Sequence, residues 1–364
     1  MNIKLVHWPI NNIGGILTWI REIDAGFTAL GHQVDRVCPA DYHPRPETLA
    51  QDDYYRGVPQ CRAIPTVSDQ ELDACMAELN SADLVIFCHP SPHPTKDQRR
   101  RVAEGRRWVE VYRRLTAPRL VVFHDNNWAK TNAWFADVAE YVPFVLAAQH
   151  IFMESVEKYP TRNRRWEYFP IRVPQLDPST RRVGGLMATQ WLKWKRHREF
   201  MNHVPALSNL TVFDLYNIGI EYWHLRKEAI WAEYVGEETV VQYKGTVDHS
   251  VIIAAMQQAI FCVDFSKRGY TNYTHWEPLC CGAISMTHED VLANPYCELP
   301  RTPMVVDFND TNFIERVEAA LAFAKTPACE DARRATVEAC RERMEPTVIC
   351  QRILEELASG LYTL

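Results

Sequence analysis

Long apolar runs are missing from this sequence of 364 residues. No uncharged stretch approaches the ~18 residues that a helix needs to cross a bilayer core, so a helical membrane span is excluded. Cys-x-x-Cys pairs are missing too, although eleven cysteines are scattered along the chain and Cys280 and Cys281 are adjacent. Clustered zinc ligands are thereby unexpected, and a disulfide scaffold belongs to short secreted chains. Most of the thiols are expected to be small buried hydrophobes in a reducing compartment. The Gly-x-Gly-x-x-Gly fingerprint of dinucleotide binding is absent, which counts against a dehydrogenase. Internal repeats and low-complexity tracts are absent as well. The opening Met1-Asn2-Ile3-Lys4-Leu5-Val6 reads as a strand rather than a signal peptide, so a soluble cytoplasmic protein is expected.

What is present is an ordinary globular composition, 47% hydrophobic and 24% charged, with length for two domains. The net charge of −6 hides a strong segregation. Between Lys96 and Arg114 stand eight basic and three acidic residues, and between Lys158 and Arg198 eleven basic and two acidic. The rest of the chain then carries −20. Such segregation gives either basic patches that attract phosphates or a pair of solvated helix faces.

Strand-like apolar runs alternate with helix-length amphipathic ones. In the first half the expected strands are Ile3–His7, Gln33–Cys38, Asp83–His89, Arg119–His124 and Val142–Ala147, with helices over Leu17–Leu30 and Gln98–Arg114. A polar stretch, Tyr159–Arg182, with Pro160, Pro170, Pro174 and Pro178, reads as an interdomain linker. Strands are expected again at Val183–Ala188, Thr211–Leu215, Thr239–Tyr243, Ala259–Phe265, Ala283–Thr287 and Met304–Phe308. Their helices include Lys195–His203, His249–Gln258 and Trp276–Cys281, and helical segments run from Asn312 to a last one at Pro346–Ser359. Near-continuous apolar strands separated by helices indicate parallel sheets covered on both faces. The reading is an α/β protein of two Rossmann-like domains, residues 1–170 and 171–345, with the helix in 346–364 crossing back to the first. Ligands are expected in the cleft where two sets of strand ends meet.

Four segments carry chemistry. Gly14-Gly15 stands between the first strand and its helix, where glycine lets a ligand approach the backbone or merely makes a tight turn. His124-Asp125 leaves the end of a strand, where the pair can act as base and orienter, or Asp125 can cap the next turn. Lys193, Lys195 and Arg196 stand at the first strand-to-helix turn of the second domain, where cations can neutralise a diphosphate or stay solvated. The most informative segment is Tyr273-Thr274-His275-Trp276-Glu277, ending in Cys280-Cys281-Gly282. A carboxylate one turn inside that helix offers two acceptor oxygens to the two hydroxyls of a ribose.

Taken together these segments resemble the GT-B glycosyltransferases, and most of all the bacteriophage DNA α-glucosyltransferases. The likeness runs through most of the chain: Gly14-Gly15 with Gly31-His32, Phe123-His124-Asp125 after an Arg-rich helix, Trp194-Lys195, and Tyr273-Thr274-His275-x-Glu277 before Cys281-Gly282-Ala283-Ile284. A looser likeness to the phage DNA β-glucosyltransferases lies in Glu167-Tyr168-Phe169-Pro170-Ile171 and Trp276-Glu277.

The resemblance implies a GT-B fold and a retaining transferase that moves a hexose or pentose from a UDP-sugar to a hydroxymethylated pyrimidine in DNA. It implies that His124 and Asp125 lie at the reacting centre, that Lys195 holds the diphosphate and that Glu277 holds the ribose. Gly14, Gly15, Lys193, Arg196, Tyr273, Thr274 and His275 complete the donor site, and the backbone around Thr246 and Val247 meets the uracil. Arg99, Arg100, Arg106 and Arg107 would contact DNA phosphates, with the base flipped out of its stack. No Asp-x-Asp motif is present, so no obligatory metal is expected. A monomer in the host cytoplasm, without membrane attachment, completes the expectation. Two departures stand out: Gln190 replaces the arginine usual four residues before Trp194, and Gly269 replaces a glutamate common in retaining members. A GT-B enzyme acting on a saccharide, lipid or small molecule, or a non-catalytic sugar-nucleotide-binding protein, remains the alternative.

Overall fold

Each sheet is assembled from the apolar runs of one half of the chain. The computed structural model describes residues 1–7, 15–39, 62–64, 69–88, 109–123, 138–147, 162–165, 169–189, 196–207, 210–216, 241–244, 247–267, 273–294 and 297–364. The chain divides into two compact units, Met1–Pro170 together with Pro346–Leu364, and Ile171–Glu345.

The first unit holds seven strands: β1 (Asn2–His7), β2 (Gln33–Pro39), β3 (Arg62–Ile64), β4 (Leu84–Cys88), β5 (Arg119–Phe123), β6 (Phe144–Ala147) and β7 (Arg162–Arg165). All are parallel, in the order β3-β2-β1-β4-β5-β6-β7. Helix α1 (Gly15–Ala29) returns the chain from β1 to β2, and α2 (Asp69–Asn80) precedes β4. One face of the sheet buries Val6, Val85, Phe87, Val121 and Val145 beneath Leu72, Met76 and Leu79 of α2 and Val111, Tyr112 and Leu115. Residues 109–114 are helical, the described end of the helix expected over Gln98–Arg114. The expected linker is not wholly irregular: Arg162–Arg165 adds β7 to the sheet edge beside β6.

The second unit repeats the plan with β8 (Gly185–Ala188), β9 (Phe213–Tyr216), β10 (Val241–Tyr243), β11 (Phe261–Asp264), β12 (Ile284–His288) and β13 (Val305–Phe308), ordered β10-β9-β8-β11-β12-β13 and again all parallel. Its helices are α3 (His197–Met201), α4 (Val204–Leu207), α5 (His249–Gln258), α6 (Tyr273–Cys280), α7 (Glu289–Leu292), α8 (Phe313–Phe323) and α9 (Pro327–Met344). The helix expected over Lys195–His203 is thus shorter, and α6 begins three residues before the expected Trp276. Proline opens α9, with Thr326 accepting from the Cys329 amide as its N-cap, so a sequence-encoded start is visible there.

The last helix, α10 (Pro346–Ala358), belongs to the first unit and packs on α1. Their approach needs Gly26: a Cβ there would lie 2.6 Å from the Pro346 carbonyl oxygen and 2.7 Å from Cys350 Sγ. The Cys350 thiol donates to the Ile23 carbonyl across the same contact, at 3.4 Å. Of the nine cysteines whose side chains are described, all are free and eight are buried, as expected of small hydrophobes. Among the described residues, no helix is long and apolar enough to cross a membrane.

Candidate functional site

In the second unit the strand order turns back on itself between β8 and β11, so the connections leaving these two neighbours diverge. A crevice outside the strand C-termini is the general consequence, and ligands of doubly wound sheets bind there. The buried polar side chains gather at this place. Thr189 follows β8, Asp264 and Ser266 end β11, and Thr287 and His288 end β12.

Asp264 organises the start of α6. Its Oδ1 accepts from the Ser266 amide at 2.9 Å and from the Ser266 hydroxyl, which bends the chain as it leaves the strand. Its Oδ2 accepts from Thr274 Oγ1, so the strand end grips the second residue of α6. This anchoring explains why the helix begins at Tyr273. The helix then ends in a Schellman turn: Gly282, at φ 72°, donates to the Leu279 carbonyl and Ala283 to that of Pro278. A Cβ on Gly282 would also meet Arg333 Cγ at 2.9 Å, so glycine is required twice over. Arg333 Nε donates to the Gly282 carbonyl, and Arg182 donates to those of Ala259 and Cys281, tying the ends of α5 and α6 together. Arg182, counted in the second basic segment, is therefore a structural residue rather than a phosphate ligand. Burial lowers its guanidinium to a pKa of about 10.

Glu277 lies one turn into α6 and is only 4% exposed. A lone carboxylate at that depth needs partners. Its Oε1 is 2.7 Å from Nε2 of His249, the first residue of α5, so one of the two oxygens expected to face a ribose is already engaged. His275, on the same helix, is fully buried and its carbonyl accepts from Ser285 Oγ at 2.9 Å. Val247 packs half-buried against the Leu186, Ala188 and Ile252 core, just before α5. Nearby, Lys244 donates to Gln242 Oε1 at 2.7 Å and lies 3.4 Å from Asp214.

Arg196, immediately before α3, adopts φ 57°, a left-handed conformation rare outside glycine. Its guanidinium pairs with Asp310 at 3.0 Å and with Glu199 at 3.3 Å. Lys267, just beyond β11, reaches the same Asp310 at 2.6 Å, and His288 Nε2 lies 3.5 Å from it. Hydrogen bonding from Arg196 above all, then from Lys267, holds the Asp310 carboxyl well below the usual carboxylate range. Burial lowers the His288 imidazole, against the opposing pull of Asp290.

Tyr273, Thr274, His275 and Glu277 thus share one anchored helix, and Arg196 joins a separate ionic cluster. Gly15 is the first residue of α1. Gly14, His124, Asp125, Lys193, Lys195, Thr246, Arg99, Arg100, Arg106 and Arg107 lie outside the described residues. His249, Asp264, Lys267, His288 and Asp310 were not foreseen. A carboxylate ending the apolar run Phe261-Cys262-Val263-Asp264 was the one local signal available. Among the described residues, no group of three His, Cys, Asp or Glu side chains could hold a metal.

No family model matches the chain, and no curated protein matches it. Solved structures do. An α-glucosyltransferase in complex with UDP and a 13-mer DNA containing an HMU base is similar at TM-score 0.72 and 13% identity, over 99% of each chain. Anabaena HepE in complex with UDP-glucose is similar at TM-score 0.70 and 12% identity, over 98% of this chain and 99% of that one. A glycosyltransferase from Rickettsia africae ESF-5 follows at 0.68 and 12%, over 99% of this chain and 98% of that one. Two all-parallel sheets, each reversing its order beside its first strand, and likeness along the whole length make this the GT-B fold.

Proposed function

We propose that this protein is a glycosyltransferase that moves a sugar from a UDP-sugar to the hydroxyl of a hydroxymethylated pyrimidine in DNA. The observation that carries the reading is the buried Glu277 carboxylate, held by His249 on a helix anchored to a strand end at the reversal point of the second sheet. A carboxylate there suits ribose hydroxyls. Around it, Tyr273, Thr274, His275, Val247 and Thr246 serve the nucleoside, and Lys193, Lys195 and Arg196 the diphosphate, with Gly14 and Gly15 approaching the donor by their backbone.

In the reaction, the bond from the sugar's anomeric carbon to the β-phosphate oxygen breaks, and a bond to the acceptor oxygen forms. UDP leaves with the electron pair, its charge met by the cations. The hydroxyl proton goes to Asp125, directly or by way of the departing phosphate, and His124 contacts the sugar. Retention of anomeric configuration and the absence of an obligatory metal belong to this proposal, as does a monomeric enzyme. DNA as acceptor is supported by the α-glucosyltransferase complex and by the basic segments, in which Arg99, Arg100, Arg106 and Arg107 would meet phosphates. A second reading, transfer to a saccharide or small molecule, keeps the same donor: HepE, similar at TM-score 0.70 against 0.72 for the DNA complex, is in complex with UDP-glucose.

The test is transfer from a panel of UDP-sugars to plain, hydroxymethylcytosine and hydroxymethyluracil DNA, read by nucleoside mass spectrometry beside a set of saccharide acceptors. Sugar on hydroxymethylated DNA alone is the expected result. Transfer to saccharides alone would replace the DNA reading with the second one, and UDP binding without any transfer would leave a sugar-nucleotide-binding protein.

A further inference from the structure

Asp310 is a carboxylate on which three nitrogen groups from three separate segments converge: Arg196 after β8, Lys267 after β11 and His288 at the end of β12. It builds nothing in its own loop. The turn after β13 is pinned by Asn309, whose Oδ1 accepts from the Thr311 and Asn312 amides and whose own amide donates to Asn312 Oδ1. Among the described residues, the Asp310 side chain accepts hydrogen bonds from Arg196 and Lys267.

The groups around it are arranged for more than one carboxylate. The Arg196 side chain is 12% exposed, and its Nη1 is buried with no hydrogen-bond partner among the described residues. The same residue is held at φ 57°, a conformation that persists where the surroundings dictate it. His288 is 2% exposed and its Nδ1 accepts from the Asp290 amide at 3.2 Å. The neutral ring therefore carries its proton on Nε2, and that buried N–H points to Asp310 from 3.5 Å without completing a hydrogen bond. Two cations and an N–H donor with unused capacity match a tetrahedral dianion better than a singly charged planar group. Asp310 itself is 42% exposed on its short loop, so it can leave.

We propose that Arg196, Lys267 and His288 form a phosphoryl-binding seat that Asp310 fills in the free protein, and that the diphosphate of the nucleotide donor displaces it. The identity of the ligand rests on the UDP-sugar reading above; the seat itself rests on the cluster. Asp310 then weakens donor binding by competing for its place, and Lys267 and His288 become phosphate ligands beside Arg196.

Titration calorimetry on the full chain at fixed ionic strength tests this, with UDP, uridine and inorganic pyrophosphate as probes. Asp310→Asn should bind UDP and pyrophosphate at least about fivefold more tightly with uridine unchanged, while its melting temperature falls because the cations lose their partner. Those opposite signs separate a competing carboxylate from a merely structural one. Lys267→Met should weaken UDP about tenfold and spare uridine, and it decides the matter if Asp310→Asn does not fold. UDP and pyrophosphate affinities that stay level or drop in Asp310→Asn, or a Lys267→Met protein with unchanged UDP affinity, overturn the seat. A wild type that binds no UDP sinks the functional reading instead, and pyrophosphate binding gained by Asp310→Asn would still uphold the seat.

Discussion

The two units share one topology but handle buried polar groups differently. In the first, the buried polar side chains among the described residues are Lys4 and Arg119. Both serve the fold: Lys4, inside β1, pairs with Asp35 and Glu78, and Arg119, at the start of β5, donates to the Tyr112 and Leu115 carbonyls. In the second unit, Thr189, Asp264, Ser266, Thr287 and His288 are buried at the C-terminal ends of strands, and Glu277 and His275 on the helix that follows. Polar groups at strand starts and centres hold a sheet together, whereas polar groups at strand C-termini face the place where such sheets bind ligands. On the proposed function these are the groups that would meet the donor.

The largest expected effect would sharpen that division. On the proposed mechanism, Asp125 acts in the transition state and not on the nucleotide. Asp125→Ala should lower single-turnover transfer by roughly 100-fold or more, the usual scale for losing a general base, while UDP affinity by calorimetry stays near that of the wild type. Full activity in a folded mutant would remove Asp125 from the chemistry and leave it as a cap. Glu277→Ala should do the reverse, weakening UDP by about 2 kcal/mol, the scale of a charge-assisted partner. UDP affinity unchanged in a folded mutant would break the assignment of donor binding to the second unit.

The sheets were legible because parallel strands buried on both faces read as apolar runs. Every strand expected from such a run is present to within a few residues, from Asn2–His7 to Val305–Phe308. The two missed strands among the described residues are edges: Arg162–Arg165 contains no apolar residue, and Arg62–Ile64 is three residues long. Their evidence is a hydrogen-bonded neighbour far away in sequence, which periodicity cannot register. Glu277 and Thr274 were legible as a local motif. His249 and Asp264 were not, because their meaning comes from meeting that motif across 28 and 10 residues. Asp310 is further removed still, 114 residues from Arg196.

A smaller effect concerns the packing of two helices in the first unit. Gly26 lets α1 approach α10, and an added Cβ would press on the backbone at Pro346. Because a carbonyl oxygen cannot rotate away as a side chain can, Gly26→Ala should cost about 1.5 kcal/mol, within the range for overpacking. Chemical denaturation measures it, and the expected UDP affinity is that of the wild type. A neutral substitution would show that α10 can shift without cost.

The smallest expected effect is a pH dependence confined to the second unit. His203 stacks among Phe265 and Phe313, with ring centroids 5.8 and 5.1 Å away, and His288 sits 5.5 Å from Phe308. Burial lowers both imidazoles; Asp310 opposes and Arg196 reinforces this at each, and Asp290 and Lys267 act further on His288. In the unfolded chain both return to about 6.5, so the unfolded state takes up protons first as the pH falls. The contribution of each neutral ring is therefore complete above 6.5 and is lost as the pH drops from there toward the lowered folded values. Replacing them by His203→Gln and His288→Asn, the latter keeping an acceptor for the Asp290 amide, should flatten the fall in melting temperature between pH 7 and 5.5. The expected flattening is on the order of one or two degrees, small for a unit of this size. A variant whose melting temperature falls as steeply as the wild type's would mean that the rings accept protons in the folded state, and that water reaches the strand ends around Asp310 more freely than their burial indicates.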